Sequence, residues 1–238
     1  MNSLIEKIRK YFPVGVILIA VACDSSNETK YTKTGLNYFP LHVGNSWTYD
    51  VSELKFDTLI QNISSSYQEK FEVVDSFQNL SGEAEFVIHM STRSNAEAAW
   101  TYSQTWSARV TMLNEILVEK ENVIYLEILL PVSNGLSWKG NKYNTIESTR
   151  TNNRIDTYEV KDFPKPYTTF NHSFTVQESD DRNFAYQDLR YSIYAENVGL
   201  AYRINKYIEF CDDAVCFGLN IRNHEVTTIE TLVEYEVQ

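Results

Sequence analysis

Polar and apolar positions alternate with period two along most of this chain. From Trp100 the even positions are Trp100, Tyr102, Gln104, Trp106, Ala108, Val110 and Met112, and the odd ones are Thr101, Ser103, Thr105, Ser107, Arg109 and Thr111. An apolar face backed by a hydroxyl-rich one is what a half-buried strand or strand pair requires. The pattern recurs at Phe170, His172, Phe174 and Val176, where the apolar phase places His172 in a core or lumen. It returns where Ile229, Thr231, Val233, Tyr235 and Val237 oppose Glu230, Glu234 and Glu236. Further strands are predicted around 47–56, 67–77, 83–92, 116–130, 154–160, 184–194 and 200–210. No amphipathic helix stands out beyond the N-terminal segment. One-sided burial over ten or so strands predicts an all-β domain, a single antiparallel sheet curled as a barrel or half-barrel, with a two-sheet β-sandwich as the alternative. Breaks are expected at Asn134-Gly135, at 139–144 and at the Phe-Pro-Lys-Pro turn of 162–166.

The first residues, MNSLIEKIRKYFPVGVILIAVAC, break that pattern. Lys7, Arg9 and Lys10 precede an apolar run from Val14 to Ala22, the order of a secretory signal, and a run of about nine residues is short of the roughly twenty that cross a bilayer as a helix. The cleavage region Ala20-Val21-Ala22-Cys23 resembles the bacterial lipobox. The resemblance implies cleavage before Cys23, a diacylglyceryl thioether on its sulfur and an acylated amino group, so that lipid tethers the mature chain to a membrane. The domain division is then 1–22 signal peptide, 23–37 lipidated N-terminus and flexible tether, and 38–238 globular domain. Two or more acyl chains suffice for stable attachment.

Composition and charge narrow the functions. The whole chain carries a net charge of −11. Removing residues 1–22 takes away Lys7, Arg9, Lys10 and Glu6, a net +2, which leaves −13 on the mature chain. Nucleic acid is not an expected partner, because phosphate binding needs a cationic surface. Tyr 16, Phe 12 and Trp 4 against Gly 8 and Pro 5 favour strands over glycine-rich phosphate loops. Beyond Cys23 the cysteines are Cys211 and Cys216, separated by Asp212 to Val215 and flanked by apolar runs. In an oxidising envelope they are expected to pair as a disulfide pinning the neck of a hairpin, with free thiols or metal and redox chemistry as the alternatives.

Three stretches, YFPLHVGNSWTY (38–49), GLSWKGNKYN (135–144) and YAENVGLAYR (194–203), are similar to a family of uncharacterised Bacteroidota envelope lipoproteins whose folded part begins YFPL-x-V-G-N-x-W-x-Y. The resemblance implies a β-rich envelope lipoprotein and carries no catalytic residues. The residues themselves read as turn glycines (Gly44, Gly140, Gly199) and core aromatics (Trp47, Trp138, Tyr202).

The sequence contains no G-x-S-x-G elbow, Walker loop, H-E-x-x-H or calcium loop. No catalytic residue, metal site or cofactor is predicted. The row Trp100, Tyr102 and Trp106 is the candidate ligand-binding feature, for an amphiphile if the sheet encloses a cavity and for core packing otherwise. The expected function is a non-catalytic binding or carrier module of the cell envelope, held by its lipid anchor at the outer membrane, with an amphiphilic ligand or an envelope protein as partner. The alternatives are a structural or assembly subunit of an outer-membrane complex and a polysaccharide-acting hydrolase, which needs at least two carboxylates in one cleft.

Overall fold

Twelve strands form one antiparallel sheet in the computed structural model, which describes residues 35–59, 61–145 and 157–238. The predicted signal peptide, Cys23 and most of the predicted tether lie outside the described residues. In chain order the strands are β1 Ser46–Asp57, β2 Gln61–Gln78, β3 Ala84–Arg93, β4 Thr101–Val110, β5 Glu115–Lys120, β6 Val123–Leu129, β7 Ser137–Lys139, β8 Thr157–Tyr167, β9 Phe170–Arg182, β10 Tyr186–Ala195, β11 Gly199–Phe210 and β12 Arg222–Glu236. Spatial order is β6-β5-β4-β3-β2-β1-β12-β11-β10-β9-β8-β7. The barrel expectation therefore holds and the sandwich does not, because a single hydrogen-bonded sheet runs through all twelve strands.

Curvature comes from bulges. Register shifts occur between Thr48 and Tyr49, Val73 and Asp75, Met90 and Ser91, Ile116 and Leu117, Arg190 and Tyr191, and Ile193 and Tyr194. Each adds local twist and bends its strand, so a sheet this wide rolls up instead of lying open. The two edges meet. Leu126 of β6 donates its backbone N–H to the Gly140 carbonyl (2.9 Å), and Trp138 Nε1–H donates to the Leu126 carbonyl (2.9 Å). Asn144 Nδ2 donates to the Ile124 carbonyl at 2.7 Å, while Lys142 and Tyr143 both bond the buried Glu115 carboxylate. These contacts occupy backbone groups that a bare edge would leave open.

One end of the barrel is closed by residues 35–45. Gly35 has φ +101, and a Cβ there would sit 2.4 Å from Val132 Cγ2, so only glycine turns the chain this close to the wall. A single 3-10 turn over Leu36–Tyr38 follows. Tyr38 is buried with its ring 5.0 Å from that of Phe174. The last residues of the predicted tether, 35–37, are thus already packed; Asn37 Nδ2 donates to Glu196 at 2.7 Å. Fully buried Asn45 locks the entry to β1. Its Nδ2 donates to the Pro40 carbonyl (3.1 Å), its Oδ1 accepts from Gln238 N–H (3.1 Å) and its backbone carbonyl accepts from Val73 N–H (2.9 Å).

Three local expectations change. The region 116–130 is two strands, not one: Glu121 (φ 51) and Asn122 (φ 63) make a two-residue turn of the type that matches strand twist. The Phe-Pro-Lys-Pro segment is no break but an irregular stretch inside β8, with register shifts on both sides of Lys165. His172 is not in the core. Its side chain is 59% exposed and Nδ1 lies 2.6 Å from Glu196 Oε2, because it sits at the start of β9, beyond the buried Ser173 and Phe174.

Candidate ligand-binding site

The inner face can be followed strand by strand from the register. Trp47, Tyr49 and Val51 of β1 oppose Phe71, Glu69 and Tyr67 of β2; Ile88 of β3 opposes Trp106 of β4; and Ala108 opposes Val118 of β5. On the other side, Val51 opposes Glu230 of β12, which opposes Arg203 of β11, which opposes Ser192 of β10. The lumen is thus apolar and aromatic near the closed end and charged further along.

Between these two layers lies a cavity of about 80 Å³. Its wall includes Trp47, Tyr49, Phe71, Trp106, Tyr194 and Leu200, its floor Phe39, Pro40 and Leu41, and its polar side Lys120, Glu127, Arg203 and Glu230. Most of the wall polar atoms are satisfied. Trp47 Nε1–H donates to the Val198 carbonyl (2.5 Å), and the Tyr49 hydroxyl donates to the Leu200 carbonyl (2.9 Å). Trp106 Nε1 is buried and has no hydrogen-bond partner, and its ring lies 4.8 Å from Lys120 Nζ. Further along the same inner face, Tyr67, Glu69, Met90, Thr92, Thr101 and Ser103 line a polar recess of about 670 Å³ under the β3–β4 loop.

Glu127 is the centre of the charged layer. It is the extra residue of the β6 bulge, between Leu126, which pairs with Leu117, and Ile128, which pairs with Ile116. The bulge turns a carboxylate into the lumen among apolar neighbours. There it accepts hydrogen bonds from Arg203 and from the Tyr194 hydroxyl (2.8 Å), and Lys120 Nζ lies 3.5 Å away. Burial alone would raise the Glu127 carboxyl, but Lys120, Arg203 and the Tyr194 hydrogen bond outweigh it and hold the group near about 2. Arg203 also reaches Glu230 (3.7 Å), and its Nε donates to Ser192 Oγ (3.0 Å).

Glu69 is placed differently. Burial, and then the Glu230 charge across β1, push its carboxyl up to about 7. Among the described residues no lysine or arginine pairs with it. Glu178 of β9 is likewise raised, by burial first, with the Ser192 hydroxyl donating to it at 3.1 Å.

The sequence-level row Trp100, Tyr102 and Trp106 does not stay on one face. Trp106 lines the cavity, whereas the bulge opposite Met90 and Ser91 rephases β4, so Tyr102 is 58% exposed and packs edge-on against the His89 ring outside. Trp100 precedes β4 and stacks under the Arg93 guanidinium at 4.2 Å. Cys211 and Cys216 are joined, with Cα atoms 5.8 Å apart. The bond does not pin a hairpin neck, however. That neck is the Cys211 N–H to Ile221 carbonyl bond (2.7 Å), and the disulfide closes only the first part of the loop 211–221. Val215, Phe217, Leu219 and Ile221 are exposed there instead of forming a strand, and Phe217 meets the ring of Phe184 at 5.9 Å. The glutamates of the lumen escaped the sequence reading because they fall on the polar phase, which alternation assigns to solvent.

No family model matches this sequence, and no curated protein matches it. Among solved structures, the chain is similar to a candidate lipoprotein from Parabacteroides distasonis ATCC 8503, at 14% identity, over 84% of this chain and 98% of that one, with a TM-score of 0.37.

Proposed function

We propose that this chain is a lipoprotein of the cell envelope, lipidated at Cys23 and held at the outer membrane, whose barrel binds the apolar end of a small amphiphile without chemistry. The observation that carries the binding reading is the cavity with the unpartnered Trp106 Nε1–H on its wall. More than about nine in ten buried polar groups in native proteins are paired, and leaving one unmade costs about 1–3 kcal/mol. A ligand oxygen would accept that proton while aromatic faces enclose its hydrocarbon. Size limits the ligand. Benzene fills an engineered apolar cavity of about 150 Å³, and sites for drug-sized molecules run to about 300–1,000 Å³, so 80 Å³ takes a short alkyl segment and not a whole lipid.

Residue 35 lies at the closed end of the barrel, which supports a tether attached there. The exterior supports exposure to water. Asp50, Lys70 and Glu72 of β1 and β2 alternate with the inward side chains, and Gln68 Nε2 donates to Asp50 at 2.6 Å on that face. A strand barrel that crosses a bilayer needs an outward apolar band instead.

The test uses the mature chain with Cys23→Ser, titrated with 1-hexanol while tryptophan emission is recorded. A saturable change is expected, absent in Val118→Phe, which fills the cavity, provided circular dichroism shows that variant folded. No saturable change in the parent protein overturns the binding reading. Separately, Cys23→Ser in cells should move the protein from the membrane to the soluble envelope fraction.

A second reading, a polysaccharide-acting hydrolase, is favoured by one observation. Glu69 and Glu230 flank β1 on the inner face, and burial holds the first near neutrality, as a general acid requires. Release of reducing ends from envelope or host glycans, abolished by Glu69→Gln, would replace the binding reading with this one.

A further inference from the structure

The charges of the lumen do not balance. Its inner face gathers Glu69 of β2, Glu127 of β6, Glu178 of β9 and Glu230 of β12 around two cations, Lys120 of β5 and Arg203 of β11. Glu127 takes the close contact of both cations. Glu230 keeps only the 3.7 Å approach of Arg203, and Glu69 pairs with neither. The neighbouring charges bring no relief. Glu53 is matched by Lys55 (3.3 Å), and Asp188 by Arg190 (2.9 Å). Desolvated carboxylates without counter-charges are costly, and proteins normally neutralise them with a partner or a proton. Here the unmatched pair, Glu69 and Glu230, stands on either side of β1, one position along from the aromatic wall of Trp47, Tyr49 and Phe71.

We infer, building on the binding reading above, that the ligand is a cationic amphiphile, an alkylammonium whose head sits between Glu69 and Glu230 and whose hydrocarbon enters the aromatic cavity. Two kinds of attraction converge on such a head. The carboxylates supply the missing counter-charge, and the ring faces of Tyr49 and Trp106 supply the quadrupole that recognises ammonium groups. An anionic head would meet the same two carboxylates as like charges. Protonation of Glu69, which burial and Glu230 bring close to neutral pH, would remove half of the counter-charge and weaken the cation alone.

The experiment compares hexyltrimethylammonium, 1-hexanol and hexyl sulfate, three probes with one tail, on the mature Cys23→Ser chain at pH 8 by calorimetry. The cation is expected to bind at least about tenfold more tightly than the alcohol, and the sulfate more weakly than the alcohol. In Glu69→Gln, checked for folding by circular dichroism, the ratio of cation to alcohol affinity should shrink about tenfold. In the parent protein the same ratio should fall as pH is lowered from 8 to 5.5. Equal or tighter binding of the alcohol or the sulfate overturns this inference and leaves the binding reading standing. Failure of all three probes overturns both. A ratio unchanged in Glu69→Gln and in Glu230→Gln also overturns it.

Discussion

Glu127 shows how one residue can hold a lumen together. Its carboxylate joins β6 to Tyr194 and Arg203, which lie across the barrel in β10 and β11, and to Lys120 beside it in β5. A buried ion pair need not stabilise relative to a well-packed apolar substitute, but removing one member leaves the others charged and dry, at about 3–5 kcal/mol. Glu127→Ala is therefore expected to cost about that much in urea unfolding. Arg203→Met combined with Glu127→Leu should recover much of the loss, because it removes both charges. If the double variant is no more stable than the single one, the desolvation account is wrong. Neither residue is marked by the sequence. Glu127 reads as the polar phase of a strand, and only a bulge that no composition rule encodes turns it inward.

At the scale of elements, the three stretches that resemble envelope lipoproteins each have a structural task. Residues 38–49 close one end through Tyr38, Asn45 and the Trp47 hydrogen bond to Val198. Residues 135–144 seal the sheet edge, and 194–203 bring Tyr194 and Arg203 to Glu127. Gly140 tests the seal. A Cβ there would lie 2.2 Å from Tyr158 Cζ, deep inside contact distance. Since Gly140 also accepts the Leu126 N–H, Gly140→Ala must move either the ring or the closing bond. A loss of about 1–3 kcal/mol is expected from the urea midpoint, with faster amide exchange at Leu126. The disulfide should matter little beyond its own loop. The chain-entropy relation for so short a ring allows about 2 kcal/mol, so Cys211→Ser with Cys216→Ser should lower thermal stability by a few degrees and leave 1-hexanol binding unchanged. Strand identities were legible in the alternation to within a few residues for β1, β3, β10 and β11. What was not legible was phase. Bulges in β4, β6 and β10 reverse which side chains face inward, so the aromatic row of β4 divided and the charged layer stayed hidden.

The whole barrel carries two opposed titrations, and together they set how its stability responds to pH. Glu127 has its carboxyl lowered to about 2 in the fold, so its contribution is present above the unfolded value of about 4.3 and is lost as pH falls toward 2. Glu69 runs the other way. With its carboxyl raised to about 7, the folded state holds a proton that the unfolded chain releases near 4.3, so stability declines as pH rises from there to 7 and levels off above it. Ligand-free protein should consequently melt at a higher temperature near pH 5 than at pH 8. Glu69→Gln isolates the second titration, since glutamine mimics the protonated carboxyl and cannot lose it. Near pH 4.5 the variant and the parent should melt together. At pH 8 the variant should be the more stable by about 2 kcal/mol, after allowance for the partial exposure of the group, or about 4–8 °C for a domain of this size. Hexyltrimethylammonium at saturating concentration should close that gap by raising the parent alone, because only the parent still offers the carboxylate. Parallel melting curves for variant and parent across the whole pH range would show that Glu69 titrates as a solvent-exposed group, and with that the counter-charge argument for a cationic ligand would lose its basis.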